Sequence, residues 1–129
     1  MEVHMEVLSI SWVGVRTQNF AATVRYFADN MSLPLSLLDE QEEVAHFRCA
    51  SGDLLEIFGP NNPNARYHAC PVFGFQVADI GAARREMESK GVDFVTDIDR
   101  WEDDAWCYFR GPDGYLYEIC QNGPPKPTQ

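Results

Sequence analysis

The sequence predicts an α+β fold made of two βαβββ modules, on three observations: an internal repeat, a strand-then-helix pattern in each half, and a tight turn before the last strand of each half. FRCASGDLLEIF (47–58) returns as FRGPDGYLYEIC (109–120), with six identities in twelve positions and no gap. The similarity between the two halves extends towards the N-terminus. Residues 11–27 align with residues 71–87, with a separation slightly shorter than that between the two hairpins. A repeat within 129 residues indicates a duplicated structural unit.

Each half opens with a β-prone run that leads into a helical pattern. In the first half the run is VLSISWVGVRT, and Phe20, Val24 and Phe27 then recur at i, i+4 and i+7. Residues at this spacing share one face of a helix and can pack on a sheet. The second half repeats the pattern, with VFGFQVAD before its own helical segment. A strand followed by a helix is therefore predicted twice.

The helix ends are predicted from capping and breaking residues. Thr17 or Asn19 should begin the first helix and Asp79 the second, because their side-chain oxygens can accept a hydrogen bond from an unpaired backbone N–H. The first helix should end within residues 30–34 and the second at Gly91, since proline and glycine do not continue a helix comfortably.

Three strand-like runs follow each helix and complete the βαβββ order. ASGD and GPDG are predicted as the tight turns before the last strand of each half. The strands are predicted at 34–38, 43–50 and 53–59 in the first half, and at 92–96, 105–110 and 115–121 in the second.

A single domain is predicted over residues 1–129, because neither half alone could bury both its sheet face and its helix. Module one covers about 6–60 and module two about 71–122. The segment 61–70 is predicted to be a linker, and the proline-rich tail 123–129 is expected to be loose.

Composition narrows the possible partners. Ten basic against twenty acidic residues give a net charge of −10, which repels nucleic acid and anionic lipid, so neither is expected as a partner. The charge would attract a cationic small molecule, but simple solubility is the favoured explanation, because the acidic residues cluster at 39–43 and 101–104. No apolar run approaches the roughly 20 residues of a membrane span, and the first residues lack a signal-peptide pattern. We therefore expect a cytoplasmic protein whose four cysteines are free thiols.

These features resemble the vicinal oxygen chelate superfamily, which includes glyoxalases, extradiol dioxygenases and the fosfomycin- and bleomycin-resistance proteins. The resemblance covers residues 8–121 and is most specific in FRGPDGYLYEI, which looks like the final hairpin with its glutamate. It implies a glyoxalase/bleomycin-resistance-like fold, in which curled mixed sheets surround a cavity, and it implies a homodimer. In metal-using members, the cavity holds a single divalent ion. It is bound by one residue on the first strand and one on the last strand of each module.

The metal positions that the resemblance implies are Trp12, Glu56, Val72 and Glu118. Family enzymes commonly carry histidine at the first-strand positions, whereas an indole and an isopropyl group offer no lone pair to a cation. Two carboxylates alone would hold a hard ion weakly. We therefore expect no metal and no cofactor. His46, on the third strand of module one, is either a substitute cavity residue or an ordinary surface or hydrogen-bonded histidine.

Period-two alternation predicts which side chains face the cavity once the glutamates are placed there. Leu55 and Ile57 then pack on the helix. The predicted ligand-binding residues are Trp12, His46, Arg48, Glu56, Phe58, Val72, Gln76, Trp106, Tyr108, Arg110 and Glu118. Aromatic walls with a few polar groups are typical of a site for a flat organic molecule, although the same rings can also simply fill a core.

Binding without chemistry is the favoured function. We expect metal-independent sequestration of a hydrophobic, aromatic and in some cases cationic small molecule such as an antibiotic, as in the bleomycin-resistance branch that the sequence resembles. The alternative is a lyase, isomerase or dioxygenase of the same superfamily, with Glu56 and Glu118 as the candidate catalytic residues, acting as metal ligands or as acid and base. A third possibility is structural and pairs the two glutamates with Arg48 and Arg110.

Overall fold

The computed structural model describes residues 4–123 and separates them into two compact units. One unit is Ser11–Phe73, and the other combines the described residues before and after it. Each unit contains strands and a helix in the predicted order, which confirms the α+β class and the two-module organisation. Within the described residues, no helix is long and apolar enough to cross a membrane.

The first unit has a mixed four-stranded sheet. Its elements are β1 (Ser9–Arg16), α1 (Phe20–Arg25) with a π-helical continuation (Tyr26–Asn30), β2 (Leu35–Asp39), β3 (Val44–Arg48), β4 (Leu54–Phe58) and a 3-10 helix (Pro63–Tyr67). The strand order is β2-β3-β4-β1, with β1 parallel to β4 and the other neighbours antiparallel. All three strands predicted after the helix are present.

The second unit repeats this arrangement with one interruption. Its elements are β5 (Val72–Gln76), α2 (Ile80–Ser89), β6 (Asp93–Phe94), β7 (Asp99–Trp101), β8 (Asp104–Arg110) and β9 (Leu116–Asn122). β5 is parallel to β9, β8 is antiparallel to β9, and both short strands pair with β8. The sequence predicted one strand at 92–96 and missed β7. Between the two pieces, the Thr96 hydroxyl accepts the Tyr108 N–H and replaces a backbone carbonyl of the ladder.

Both helices begin at residues that the sequence predicted as N-caps. Asn19 Oδ1 accepts the Ala22 N–H at 3.1 Å, and Asp79 Oδ1 accepts the Ala82 N–H at 3.0 Å. The first helix ends in the π-helical turn, within the predicted range, and Gly91 follows α2 with a φ of 88°. Glycine adopts this left-handed conformation without the strain of a side chain, so the predicted helix stop at Gly91 is confirmed.

The hairpins before β4 and β9 explain why the sequence repeats itself there. Gly52 and Gly114 have φ values of 91° and 86°, which favour glycine in both turns. Arg48 Nη1 donates to the Gly52 carbonyl at 2.8 Å, and Arg110 Nη1 donates to the Gly114 carbonyl at 3.0 Å. The Phe-Arg and Gly identities of the repeat therefore preserve the same arginine-anchored turn in both units.

The core of each unit lies between its helix and one face of its sheet. The buried members are Phe20, Val24, Ala45, Phe47 and Ile57 in the first unit, and Val77, Ile80, Ala83, Ala105, Cys107 and Ile119 in the second. Leu55 also packs against the first core, as alternation predicted. Since successive side chains of a strand point to opposite faces, Glu56 and Glu118 project from the face away from the helix of their own unit.

The described residues before Ser11, which include the first two of β1, belong with the second unit, whereas module one was predicted to begin at about residue 6. The Leu8 N–H donates to the Gln76 carbonyl at 2.8 Å, and the Met5 N–H donates to Glu86 Oε1 at 2.7 Å. Met5 also packs against the core beneath α2. A local pattern predicts that this segment is extended, but it does not indicate which strand accepts it.

The predicted linker 61–70 is an ordered part of the first unit. It contains the 3-10 helix Pro63–Tyr67, which Asn62 caps by accepting the Asn64 N–H at 2.9 Å. His68, directly after this helix, is 1% exposed. Of the tail predicted to be loose, residues 124–129 lie outside the described residues.

Candidate functional site

The carboxylate of Glu56 accepts a hydrogen bond on each of its oxygens. Trp12 Nε1–H donates to Oε1 at 2.8 Å, and His46 Nε2 lies 2.7 Å from Oε2. Because a carboxylate only accepts, we assign the ring hydrogen of His46 to Nε2. The side chains of His46 and Glu56 are 19% and 18% exposed, respectively. Trp12, His46 and Glu56 therefore form a partly accessible, internally bonded group, called here the Glu56 cluster.

Strand register brings the Glu56 cluster together. β1 is parallel to β4 and places Gly14 opposite Glu56, so Trp12 projects from the same face two residues earlier. β3 is antiparallel to β4 and places His46 directly opposite Glu56. Alternation predicted that these three side chains share a face. It did not predict their hydrogen bonds, and for His46 the structure shows the hydrogen-bonded alternative.

Gly14 makes room for the indole of Trp12. A Cβ added at Gly14 would lie 2.6 Å from His68 Cε1 and closer still to the Trp12 ring. Trp12 is itself 7% exposed. Since any side chain at position 14 would collide with two buried rings, glycine allows the indole to lie along its own strand and direct Nε1 towards Glu56.

His68 packs behind the Glu56 cluster, and sequence reasoning missed it. Its ring centroid lies 5.5 Å from that of Trp12 and 4.7 Å from that of Phe58, and Nδ1 donates to the Gly14 carbonyl at 3.2 Å. Burial lowers the pKa of His68 to about 4, although the Gly14 carbonyl and the charge of Glu56 oppose this shift. The ring is therefore neutral at neutral pH. No strand or helix periodicity marks this residue, so the sequence offered no signal for it.

The other predicted residues of the first unit have different surroundings. Phe58 is buried against His68, and Val72 is buried on β5. Arg48 is exposed, and its guanidinium contacts the Gly52 turn. The alternative in which Arg48 pairs with Glu56 is therefore wrong.

In the second unit, Glu118 occupies the position equivalent to Glu56. It is 4% exposed and lies in register with Gly74 on β5 and Tyr108 on β8. Trp106, two residues from Tyr108 on the same face, is half-buried, as is Gln76 on β5. Arg110 is exposed and donates to its own turn, so the alternative in which it pairs with Glu118 is also wrong.

The buried cysteine of the second core is not a nucleophile. Cys107 is fully buried under α2. This burial raises the pKa of its thiol to about 11. Because the thiolate is the reactive form, Cys107 serves packing and not covalent chemistry.

The residues at the family's metal positions do not fit a divalent ion. Trp12 and Val72 provide no donor atom, and Trp12 instead directs an N–H at the carboxylate that would bind the ion. Among the described residues, no group of three or more histidine, cysteine, aspartate or glutamate side chains is arranged to hold a metal. Glu56, the carboxylate at a metal position of the first unit, already accepts hydrogen bonds from two donors of the protein itself.

Two βαβββ units that each carry a glutamate on the last strand define the class of paired-module proteins that the sequence resembles. The family model of the Glyoxalase/Bleomycin resistance protein/Dioxygenase superfamily matches residues 9–119, and the chain belongs to that superfamily. None of the curated proteins matches the chain at a significant level.

Solved structures agree with this assignment. A hypothetical protein from Bacillus halodurans is similar with a TM-score of 0.75 at 13% identity, over 93% of this chain and 98% of its own. Methylmalonyl-CoA epimerase from Mycobacterium tuberculosis has a TM-score of 0.72 at 17% identity, over 96% and 94% of the two chains. A superfamily member from Vibrio splendidus has a TM-score of 0.66 at 15% identity, over 85% and 96%. At these identities the likeness shows the fold alone.

Proposed function

We propose that this protein binds a hydrophobic aromatic small molecule without a metal ion and sequesters it, as an antibiotic-resistance protein does. The observation that carries the proposal is the state of Glu56, because both of its oxygens already accept hydrogen bonds from Trp12 and His46. A cation would therefore have to share this carboxylate with two donors of the protein. Affinity would then come from apolar and aromatic surface, with a few polar groups fixing the orientation.

Each unit offers such surface on the face away from its helix. In the first unit, Val44 and Leu54 are half-buried on the strands that carry His46 and Glu56. In the second, Trp106 and Leu116 are half-buried on β8 and β9. Partly accessible apolar side chains beside a few polar groups support small-molecule binding.

Recovery of the bound compound tests this proposal. Aromatic antibiotics and dyes are titrated against the purified protein while tryptophan fluorescence is followed, and each compound that binds is then extracted and analysed by mass spectrometry. Sequestration predicts that the compound is recovered unchanged and that protection of cells scales with the amount of protein. Recovery of a modified compound in more than stoichiometric yield would contradict the sequestration proposal.

Two substitutions separate aromatic binding from catalysis. Trp12→Ala should weaken binding by about 1–3 kcal/mol because it removes aromatic area. Glu118→Gln should cost little with a neutral ligand. Trp101→Ala is the matched control, since Trp101 is 55% exposed and was not predicted to bind ligand. If Trp12→Ala binds as well as the parent, the ligand site is elsewhere.

An enzyme of the same superfamily is the second candidate, and the contact between His46 and Glu56 favours it. A carboxylate that orients an imidazole is an arrangement typical of general bases. The enzyme would be a lyase, isomerase or dioxygenase that uses Glu56 or Glu118 as acid or base. If Glu118 is that acid or base, Glu118→Gln should abolish turnover and leave binding nearly intact, because only a transition-state interaction is lost; if it is Glu56, Glu56→Gln should do so instead.

We further propose that the protein is a cytoplasmic homodimer, on the basis of the resemblance to its superfamily. Light scattering coupled to gel filtration measures the oligomeric state directly. A monomer at micromolar concentration would contradict the dimer and leave the proposed binding function in place.

A further inference from the structure

The Glu56 cluster determines which nitrogen of His46 carries the hydrogen. An indole can only donate, so Trp12 Nε1–H occupies Oε1 of Glu56 at 2.8 Å. The remaining oxygen, Oε2, lies 2.7 Å from His46 Nε2 and has no hydrogen to give. An imidazole that carries a single hydrogen therefore holds it on Nε2 and presents a lone pair on Nδ1.

Nδ1 of His46 is the part of the cluster that a ligand can reach. Within the described part of the chain, the His46 ring makes one hydrogen bond, through Nε2, and Nδ1 makes none. No buried side-chain nitrogen or oxygen of the described residues lacks a partner, so Nδ1 is in contact with solvent. A partly exposed side chain therefore offers one hydrogen-bond acceptor whose direction and tautomer are fixed by its neighbours.

We infer that His46 Nδ1 accepts a hydrogen bond from the ligand, and that the site selects aromatic compounds carrying a neutral hydroxyl group, such as phenols. This inference rests on the proposed binding function and deepens it. A cation is disfavoured because Glu56, the carboxylate that would attract it, already accepts two hydrogen bonds. The half-buried apolar neighbours Val44 and Leu54 also penalise a charge more than a hydroxyl.

The tautomer is tested first, on the protein without ligand. Nitrogen-15 chemical shifts of His46 distinguish a ring protonated on Nε2 from one protonated on Nδ1, and the parent should show Nε2–H. In Glu56→Gln the amide oxygen is needed by Trp12 Nε1–H, which leaves the amide NH₂ facing His46. Nε2 must then accept, and the hydrogen should move to Nδ1. A parent protein with a hydrogen on Nδ1, whether or not Nε2 also carries one, overturns the inference.

The binding test uses 2-naphthol and its methyl ether, in which a methyl group replaces the hydroxyl hydrogen and removes the hydrogen-bond donor. The parent should bind 2-naphthol about three- to tenfold more tightly than the ether, the factor expected for one net hydrogen bond. His46→Phe should lose this preference, and Glu56→Gln should reduce or reverse it, because Nδ1 becomes a donor. His4→Phe is the matched control, since exposed His4 lies beside a different carboxylate, Glu86, and should leave the preference unchanged.

The outcomes separate this inference from the function on which it rests. A preference for 2-naphthol that is lost in His46→Phe and kept in His4→Phe supports both. Equal binding of the two compounds by the parent overturns the acceptor role of His46 and leaves aromatic binding in place. Failure of both compounds to bind overturns the inference, and it overturns the proposed function as well if the aromatic antibiotics and dyes also fail to bind.

Discussion

The two units carry the same glutamate in different surroundings. Glu56 is partly exposed and faces His46 across the hairpin, whereas Glu118 is 4% exposed and faces Tyr108 at the equivalent position. An imidazole can donate on one side and accept on the other, while a phenol has a single oxygen for both roles. The first unit therefore presents an accessible acceptor next to its glutamate, and the second buries its glutamate.

The identical residues of the repeat build the scaffold, and the differing residues carry the chemistry. The identical Phe-Arg pair and turn glycine give the same hairpin in both units. The equivalent positions on β3 and β8 hold His46 in one unit and Tyr108 in the other. Duplication thus retained the backbone geometry while the side chains on the face away from the helix diverged.

The largest expected effect is on stability, and it compares how much the two repeated phenylalanines contribute to the free energy of unfolding. Phe47 is fully buried, whereas Phe109 is only partly buried. Phe47→Ala should lower the free energy of unfolding by about 3–5 kcal/mol because it leaves a cavity. Phe109→Ala should cost less, about 1–3 kcal/mol. Urea denaturation measures both losses. Equal losses would show that the two phenylalanines contribute equally to stability despite their different burial.

The pH dependence of stability should report the buried histidine of the first unit. The pKa of His68 is lowered from 6.5 to about 4 in the folded protein. The contribution of neutral His68 to the free energy of unfolding is complete above its unfolded-state pKa of 6.5. It is lost as the pH falls towards 4, because in this range the unfolded state takes up the proton more readily than the folded state. The loss should reach about 3 kcal/mol.

His68→Phe keeps a ring between Trp12 and Phe58 and removes the titrating group, so it is the variant to compare. Urea denaturation from pH 7 to pH 4 should show a steeper decline for the parent than for His68→Phe. Parallel curves would show that His68 is protonated as easily in the folded state as in the unfolded one.

Gly14 should tolerate no side chain. Gly14→Ala places a Cβ 2.6 Å from His68 Cε1 and closer to the Trp12 ring, so the free energy of unfolding should fall by about 1–3 kcal/mol. Gly81→Ala in α2 is the control, because its Cβ would meet Arg85 Nη1 at 3.4 Å and Asp79 Oδ1 at 3.6 Å, and the substitution should be neutral or stabilising. Denaturation midpoints compare the two. A stable Gly14→Ala would mean that the indole can leave Glu56 at little cost.

The smallest expected effect is that of removing or adding a metal ion, which should not change the melting temperature. Chelation should leave the melting temperature of the parent unchanged, and zinc, nickel or manganese should not raise it, since Trp12 and Val72 provide no ligand. A tightly bound ion would stabilise by about 4 kcal/mol at a thousandfold excess over its dissociation constant, a shift of several degrees. Trp12→His is the positive control, because it adds an imidazole beside Glu56 and His46. A metal-dependent rise in the parent would favour the enzyme.

The sequence by itself determined the features that depend on short-range patterns. Alternation predicted the helix-facing side of β4, with Leu55 and Ile57 packed towards the core, and capping chemistry predicted helix starts at Thr17 or Asn19 and at Asp79. The repeat predicted the paired hairpin turns. These predictions succeeded because strand alternation, helix caps and glycine turns are set by neighbouring residues along the chain.

Only the tertiary structure decided how side chains from distant positions pair. Trp12, His46 and Glu56 were predicted to share a face, but the occupation of both Glu56 oxygens required the register of three strands. His68 entered the site from a segment that the sequence indicated was a linker. Hydrogen bonds form over about 3 Å and depend on exact direction, so they are fixed only when packing has positioned every strand and loop that contributes to them.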